Sequence, residues 1–315
     1  MRNKRYRVLK KSNKRNKMII ISVVTIFIVS AILYMLAYRY IVERVETKAV
    51  SNTVQATETS FSSSNVVMDD MSYTSDSISI SINKVQQGEG QDKVTYFVVD
   101  VQLKYASSLK SAFAKDEFGR NITETTSTMA ENNNAIFAIN GDYYGFRGDG
   151  IEIRNGVLYR DDPARVGAAI YNDGTLKCYD ETETTGEELL EAGVINTLSF
   201  GPQLVKDGEA ITDFTNVKID TNMGNSSIQD LNPRTGIGMI SPNHFVFVVV
   251  DGRSENYSKG MTLNDFAELF ESLGCTEAYN LDGGGSSTMY FNGKVINNPS
   301  NRGGERAVSD ILYIN

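Results

Sequence analysis

The chemically capable side chains of this sequence fall into four short clusters, each beside glycine. Asp282 is followed by Gly283, Gly284 and Gly285, then Ser286, Ser287 and Thr288. Three consecutive glycines cost backbone entropy, so a fold keeps them where the chain approaches something closely or takes positive φ. Successive N–H groups in such a run can cradle an anion, with the hydroxyls as further donors. The P-loop spacing G-x-x-x-x-G-K-[ST] is absent. Asp251-Gly252-Arg253 sets a carboxylate near a guanidinium. Asn232-Pro233-Arg234-Thr235-Gly236 sets an arginine before a glycine-spaced strand, and an arginine fork suits phosphate or carboxylate oxygens. Asn140-Gly141-Asp142-Tyr143-Tyr144 offers an amide for a sugar hydroxyl and rings for a sugar face. Each cluster also has a plain reading: a flexible turn, a structural Asp–Arg pair, a loop arginine, a turn cap.

The elements that must position these residues follow from periodicity. Residues 245–250, FVFVVV, form a continuous apolar run that ends at Asp251. A helix follows, with Thr262 as N-cap, Asp265 three residues on, an apolar stripe through Leu263, Phe266, Ala267, Phe270 and Leu273, and Gly274 as its stop. A second strand, 277–281, ends at Asp282. Strand, helix, strand is a βαβ unit with a right-handed crossover. Two parallel strands share a C-terminal edge, which places Asp251 and Asp282 close together where ligands tend to bind.

Other strands are expected at 77–85 and 94–103, where apolar and polar residues alternate or run dense, and at 135–140. Short helices are expected at 107–112 and 127–132. Asn155-Gly156, Asp173-Gly174, Asp207-Gly208 and Asn292-Gly293 are type I′ turn signals, and four hairpins argue for much antiparallel sheet. The expected class is α+β, with mixed, largely antiparallel sheets, hairpins and one βαβ unit, preceded by one transmembrane helix.

Composition removes several chemistries. The chain has 315 residues and a net charge of −8, with one histidine, two cysteines and no tryptophan. A lone His244 cannot build a histidine metal cluster, and no G-x-S-x-G elbow accompanies it, so a Ser–His–Asp hydrolase is rejected. Cys178 and Cys275 cannot make a four-thiolate metal site; they are either bridged or free. Asp149 and Glu152 are candidate ligands for a hard cation, but EF-hand spacing is missing, so no cofactor is required and a divalent cation stays open. Hydrophobic residues at 41% supply a core, which excludes wholesale disorder.

Charge is unevenly placed. Residues 1–17 form a basic arm without acid, and the rest of the chain is strongly acidic. Nucleic-acid binding is not expected, because phosphate binding needs its basic patch on the fold. The arm runs into 18–38, an uncharged stretch that spans ~30 Å as a helix, the thickness of bilayer hydrocarbon. Bulky residues at its exit and the lack of an A-x-A site favour an anchor over a cleaved signal peptide. The positive-inside rule then gives a single-pass cell-membrane protein with a cytoplasmic N-terminus and an extracellular body. Residues 39–72 are polar and weakly periodic and are expected to be a stalk. The folded domain is expected over 73–315.

Taken together and in order, INGDYY (139–144), NPRTGIG (232–238), VDGRS (250–254), LDGGGSSTM (281–289) and GGERAVSDILYI (303–314) resemble the phosphodiester glycosidase family. The resemblance covers about 125–315. LDGGGSSTM is its specific part, and Arg306-Ala307-Val308 stands where the family pattern has Arg-Pro-Val. It implies a glycosidase acting on a sugar joined through its anomeric carbon to a phosphodiester. Many bacterial members are anchored or secreted and associated with exopolysaccharide. Under this resemblance Asp282 and Asp251 are the catalytic carboxylates. Arg234, Thr235, Arg253 and Arg306 hold phosphate with Gly283, Gly284, Gly285, Ser286 and Ser287, and Asn140 and Asp142 position the sugar. The alternative is a non-catalytic module binding wall glycan or teichoic acid.

Overall fold

The computed structural model describes residues 2–49, 65–217, 219, 227–301 and 304–315. It divides into an N-terminal unit, residues 1–44, and a body, residues 45–315.

The N-terminal unit is one helix, Arg2–Tyr40. Its segment Asn16–Tyr40 has a mean hydropathy of 2.8, and none of its most apolar window is buried against protein. Length and composition therefore give, among the described residues, one helix able to cross a membrane, as an anchor or as a signal. The centre of the expected stalk, 50–64, lies outside the described residues. Its flanks depart from expectation. Residues 45–48 form a strand alongside Glu117–Arg120, and Val67–Met68 and Ser72–Thr74 extend a large sheet. The body thus begins well before residue 73.

That sheet has nine strands, in the order Glu209–Ala210, Gln203–Lys206, Glu277–Asn280, Arg234–Ser241, His244–Val250, Val94–Leu103, Ile78–Gln87, Ser72–Thr74, Val67–Met68. Every neighbouring pair is antiparallel. The strands of the βαβ unit run in the same direction but are not neighbours. Arg234–Ser241 lies between them and pairs antiparallel with both, Gly236 opposite Asn280 on one side and Val248 on the other. The start of one strand therefore meets the ends of two others, and Arg234, Asp251 and Asp282 reach one edge.

The apolar run at 245–250 exists because both of its faces are covered. Phe245, Phe247 and Val249 face a five-stranded antiparallel sheet, Lys294–Val295, Met289–Phe291, Phe137–Asn140, Asp310–Ile314, Leu109–Phe113. Phe137 and Phe247 meet with ring centroids 5.2 Å apart. Val246, Val248 and Val250 face the helix Leu263–Ser272 through Phe266, Ala267 and Phe270. Thr262 and Asp265 close the expected capping box on that helix.

All four hairpins form. Positive φ occurs at both turn residues in Asn155-Gly156, Asp207-Gly208 and Asn292-Gly293, but at Gly174 alone in the Asp173 turn. The expected helix at 107–112 is instead a single turn, Ala106–Ser108, followed by the strand Leu109–Phe113. Pairing with the distant Asp310–Ile314 sets that outcome over local propensity. The helix expected at 127–132 is present as Thr126–Asn132. Both cysteines are free thiols.

Candidate active site

A cleft of about 160 Å³ opens at the shared strand edge. Arg234, Arg253 and Arg306 line it around Gly283, Gly284 and Gly285, together with Asp282 and the rings of Tyr143 and Phe200.

The glycine run is there for close approach. A Cβ on Gly283 would meet the Pro233 carbonyl oxygen at 2.8 Å, and Gly284 has φ +64 with the Arg253 guanidinium 3.2 Å from where its Cβ would sit. The amides do less than expected as an anion cradle. The N–H of Gly284 donates to Pro233 O, that of Ser286 to Gly283 O and that of Ser287 to Gly284 O. Those three are consumed by the turn itself, and the positive charge of the cleft comes from side chains.

Arg234 is 2% exposed. Its Nε donates to Met261 O at 3.0 Å and its Nη2 to Ile228 O and Asp230 O at 2.9 and 2.8 Å. Among the described residues no carboxylate forms an ion pair with it. Burial, and next the neighbouring Arg253, push its guanidinium down to about 10. Arg253 donates to Asn232 Oδ1 at 2.6 Å. It too is lowered, by burial first and by Arg306 second. Charged arginines crowded together lower one another.

Asp282 is 7% exposed. Its Oδ2 accepts from the Ser286 hydroxyl at 2.6 Å and from Arg306 Nη2 at 3.2 Å. Arg306 also donates from Nε to the Ser286 hydroxyl at 2.9 Å. Burial raises the Asp282 carboxyl against the lowering effect of Arg306 and Ser286. It is the one carboxylate lining the cleft among the described residues.

Four expected site residues reach the same region but turn away from the cleft. Asp251, 1% exposed, accepts from the Tyr257 hydroxyl at 2.8 Å, Asn297 Nδ2 at 2.8 Å and the Asn298 N–H at 3.0 Å. Asn297 also donates to Ser287 O at 3.0 Å, so Asp251 braces the glycine loop from behind. Asn140 is fully buried, donating to Asp282 O at 2.7 Å while its Oδ1 accepts from the Thr235 hydroxyl at 2.8 Å and the Thr288 N–H at 3.2 Å. Asn140 and Thr235 therefore tie strands together beneath the site. Asp142, 1% exposed, accepts from the N–H groups of Tyr143 and Ser199 and pairs with Arg147 at 3.3 Å. Arg147 in turn lies over the rings of Tyr143 and Phe200, 5.7 and 5.4 Å from their centroids. Asp142 thus supports the aromatic wall. The hydroxyl of Ser287 is buried without a hydrogen-bond partner among the described residues.

Two features lie outside the four clusters. Phe200 stands outside every cluster. The second is a buried ionic group in which Arg154 pairs with Asp310 at 2.9 Å and Glu152 at 2.9 Å. It sits behind the Asp142 wall, 3.9 Å from that carboxylate. Glu152 is close enough for an ion pair, yet neither of its oxygens has an aligned hydrogen bond. Asp149 is taken by Arg165. Among the described residues no three His, Cys, Asp or Glu side chains are grouped as a metal ion would need. His244 lies at a strand edge with its Nε2 2.8 Å from Asp100 Oδ2.

Known proteins share this framework. A zebrafish N-acetylglucosamine-1-phosphodiester alpha-N-acetylglucosaminidase catalytic domain superposes with a TM-score of 0.58 at 22% identity, covering 75% of this chain and 83% of that one. A hypothetical protein from Synechocystis gives 0.56 at 15%, covering 76% and 62%. In sequence, an uncharacterized prophage-derived Bacillus subtilis protein, YomE, is 37% identical over 242 residues, 70% of this chain and 36% of its own length. The Bos taurus N-acetylglucosamine-1-phosphodiester alpha-N-acetylglucosaminidase is 29% identical over 120 residues, 38% of this chain and 22% of that protein. The chain thus spans about a third or less of these two relatives. The model of the phosphodiester glycosidase family matches residues 133–315, the stretch that holds the glycine run, the arginines and the two rings. By that match, the chain is a member of the phosphodiester glycosidase family.

Proposed function

We propose that the body hydrolyses the bond between the anomeric carbon of a sugar and the phosphodiester that carries it. The observation that carries this reading is the meeting, in one cleft, of the buried Asp282 carboxylate with three arginines, Arg234, Arg253 and Arg306. A phosphodiester places its anion against Arg234, Arg253 and Arg306. The sugar then lies over Tyr143 and Phe200, whose faces suit the C–H surface of a ring.

Water attacks the anomeric carbon and gives its proton to Asp282. The carbon–oxygen bond breaks and its electron pair leaves with the phosphate monoester. That leaving group is already a weak base, so it needs charge stabilisation more than an acid, and one carboxylate in the cleft suffices. Asp251, Asn140 and Thr235 hold the machinery without touching substrate. On this proposal the helix Arg2–Tyr40 anchors the chain by a single pass, its basic arm on the cytoplasmic side, and the body works outside on surface glycan.

The test uses the full chain in detergent micelles and the methyl phosphodiester of N-acetylglucosamine 1-phosphate, the sugar class in the relatives' names, with and without EDTA. Asp282→Asn is expected to lower kcat by about 10²–10⁴-fold with KM changed only a few-fold. Turnover that survives the substitution would remove Asp282 from the reaction. Glycan binding without turnover by the unmodified chain would point to a binding module.

A further inference from the structure

Tyr143 and Phe200 bring their rings to the cleft from distant parts of the chain, and one ion pair grips both. Asp142 accepts from the N–H of Tyr143 at 2.6 Å and from the N–H of Ser199, the residue before Phe200. Its partner Arg147 donates from Nη2 to the carbonyl of the same Ser199 at 2.7 Å. The guanidinium also lies over both rings, whose centroids are 6.2 Å apart and which meet edge to face. Arg147 itself does not line the cleft. Two of its donors, Nε and Nη1, are buried with no hydrogen-bond partner among the described residues. A guanidinium kept for stability alone would bond those groups, because a buried donor without a partner is costly. Here the ring faces take their place.

The pair is placed in turn from behind. Arg154 stands 3.9 Å from Asp142, and Asp310 both binds Arg154 at 2.9 Å and accepts from the Asp142 N–H at 2.7 Å. Burial raises the Asp142 carboxyl, and Arg147, then Arg154, bring it below its usual value, so the pair is charged at neutral pH. We infer that Arg147 is a positioning residue of the reaction, which sets the two rings that receive the sugar and is itself set by the Asp310–Arg154–Asp142 chain. The inference rests on the hydrolytic reading of the cleft and adds what fixes its sugar side. The partners of the Arg147 side chain are Asp142, Asp149, Ser199 and the two rings. Asp282, Ser286 and Arg306 are bonded to one another. Loss of Arg147 should therefore loosen the hold on the sugar and leave the phosphate clamp in place.

The experiment uses the full chain in micelles. It measures KM and kcat for the methyl phosphodiester of N-acetylglucosamine 1-phosphate, and the inhibition constant of inorganic phosphate, which has no sugar to lay on the rings. Arg147→Met should raise KM at least about tenfold, with kcat and the phosphate constant each within about threefold of native. Arg147→Lys keeps a cation near the rings but cannot fork between Asp142 and Ser199, so its KM should fall between the two. The double variant Asp142→Asn, Arg147→Met strands no charge and should repeat the single one. Three results would each overturn the positioning role: unchanged KM in variants that melt with the native chain, a lower kcat at unchanged KM, or phosphate inhibition weakened in step with KM. If Arg147→Met fails to fold, the same three constants for Arg147→Lys decide. If the native chain turns over no diester, the hydrolytic reading falls, and calorimetric titration of native and variant chains with the diester and with phosphate decides the role. Weakened diester binding alone would support it, and any other result would overturn it.

Discussion

Glu152 lies on a strand between Ile151 and Ile153, and all three are fully buried. Burial raises its carboxyl from 4.5 to about 8, against the lowering pull of Arg154 and, more weakly, Arg160, and with help from Asp142 and Asp310. In the unfolded chain the same group ionises near 4.5. Between these values the native protein keeps a proton that the unfolded chain has released. The associated stability is therefore full below about 4.5 and is lost as pH climbs to about 8. Asp310, raised to about 6 by burial, acts in the same sense over a lower range. Glu152→Gln keeps the shape and removes the titration. Melting curves should show the native chain losing at least about 3 °C more than Glu152→Gln between pH 5 and pH 8. Parallel curves for the two proteins would show that Glu152 is ionised in the fold. Such a group was beyond reach of the sequence: GIEIR at 150–154 alternates like a strand with one wet face, and only Asp310, from a distant strand, reveals that both faces are dry.

At the scale of elements, the helix Leu263–Ser272 sits where it does because the strand beneath it has no side chains at two positions. A Cβ on Gly236 would lie 2.9 Å from the rings of Phe266 and Phe270, and one on Gly238 2.6 Å from the Cys275 sulfur. Gly236→Ala is expected to cost about 1–3 kcal/mol through overpacking, read as a lowered urea midpoint with unchanged slope. An unchanged midpoint would mean that the helix can shift at no cost. What was legible here was local. The capping box at Thr262, the glycine stop and the common direction of the two flanking strands follow from nearby residues. The insertion of Arg234–Ser241 between those strands does not, since register against a remote partner leaves no periodic mark. The same limit explains the site. Asp251 and Asp282 were placed at one edge by topology, but which of them faces the cleft depends on Asn297 and Asn298, a segment that pattern alone could not bring near.

At the scale of the whole molecule, the described part of the body is built on a nine-stranded and a five-stranded antiparallel sheet, with three smaller sheets beside them, whose strands are interleaved along the chain, and the cleft draws on residues from Tyr143 to Arg306. In the five-stranded sheet, Asp310–Ile314 lies between Leu109–Phe113 and Phe137–Asn140 and pairs with both. It also delivers Asp310 to Arg154 and to the Asp142 N–H. The middle of this sheet is thus completed by a strand far along the chain from both of its neighbours. Non-local pairing of this kind is slow, because loop closure must precede its reward. A nascent chain stalled before residue 310 has two early strands with no partner between them and a charged group with no centre. Limited proteolysis should cut within 109–140 in a chain truncated before residue 310 and spare that segment in the chain that carries 310–314. A chain without that strand is therefore open at its centre, however complete its first half.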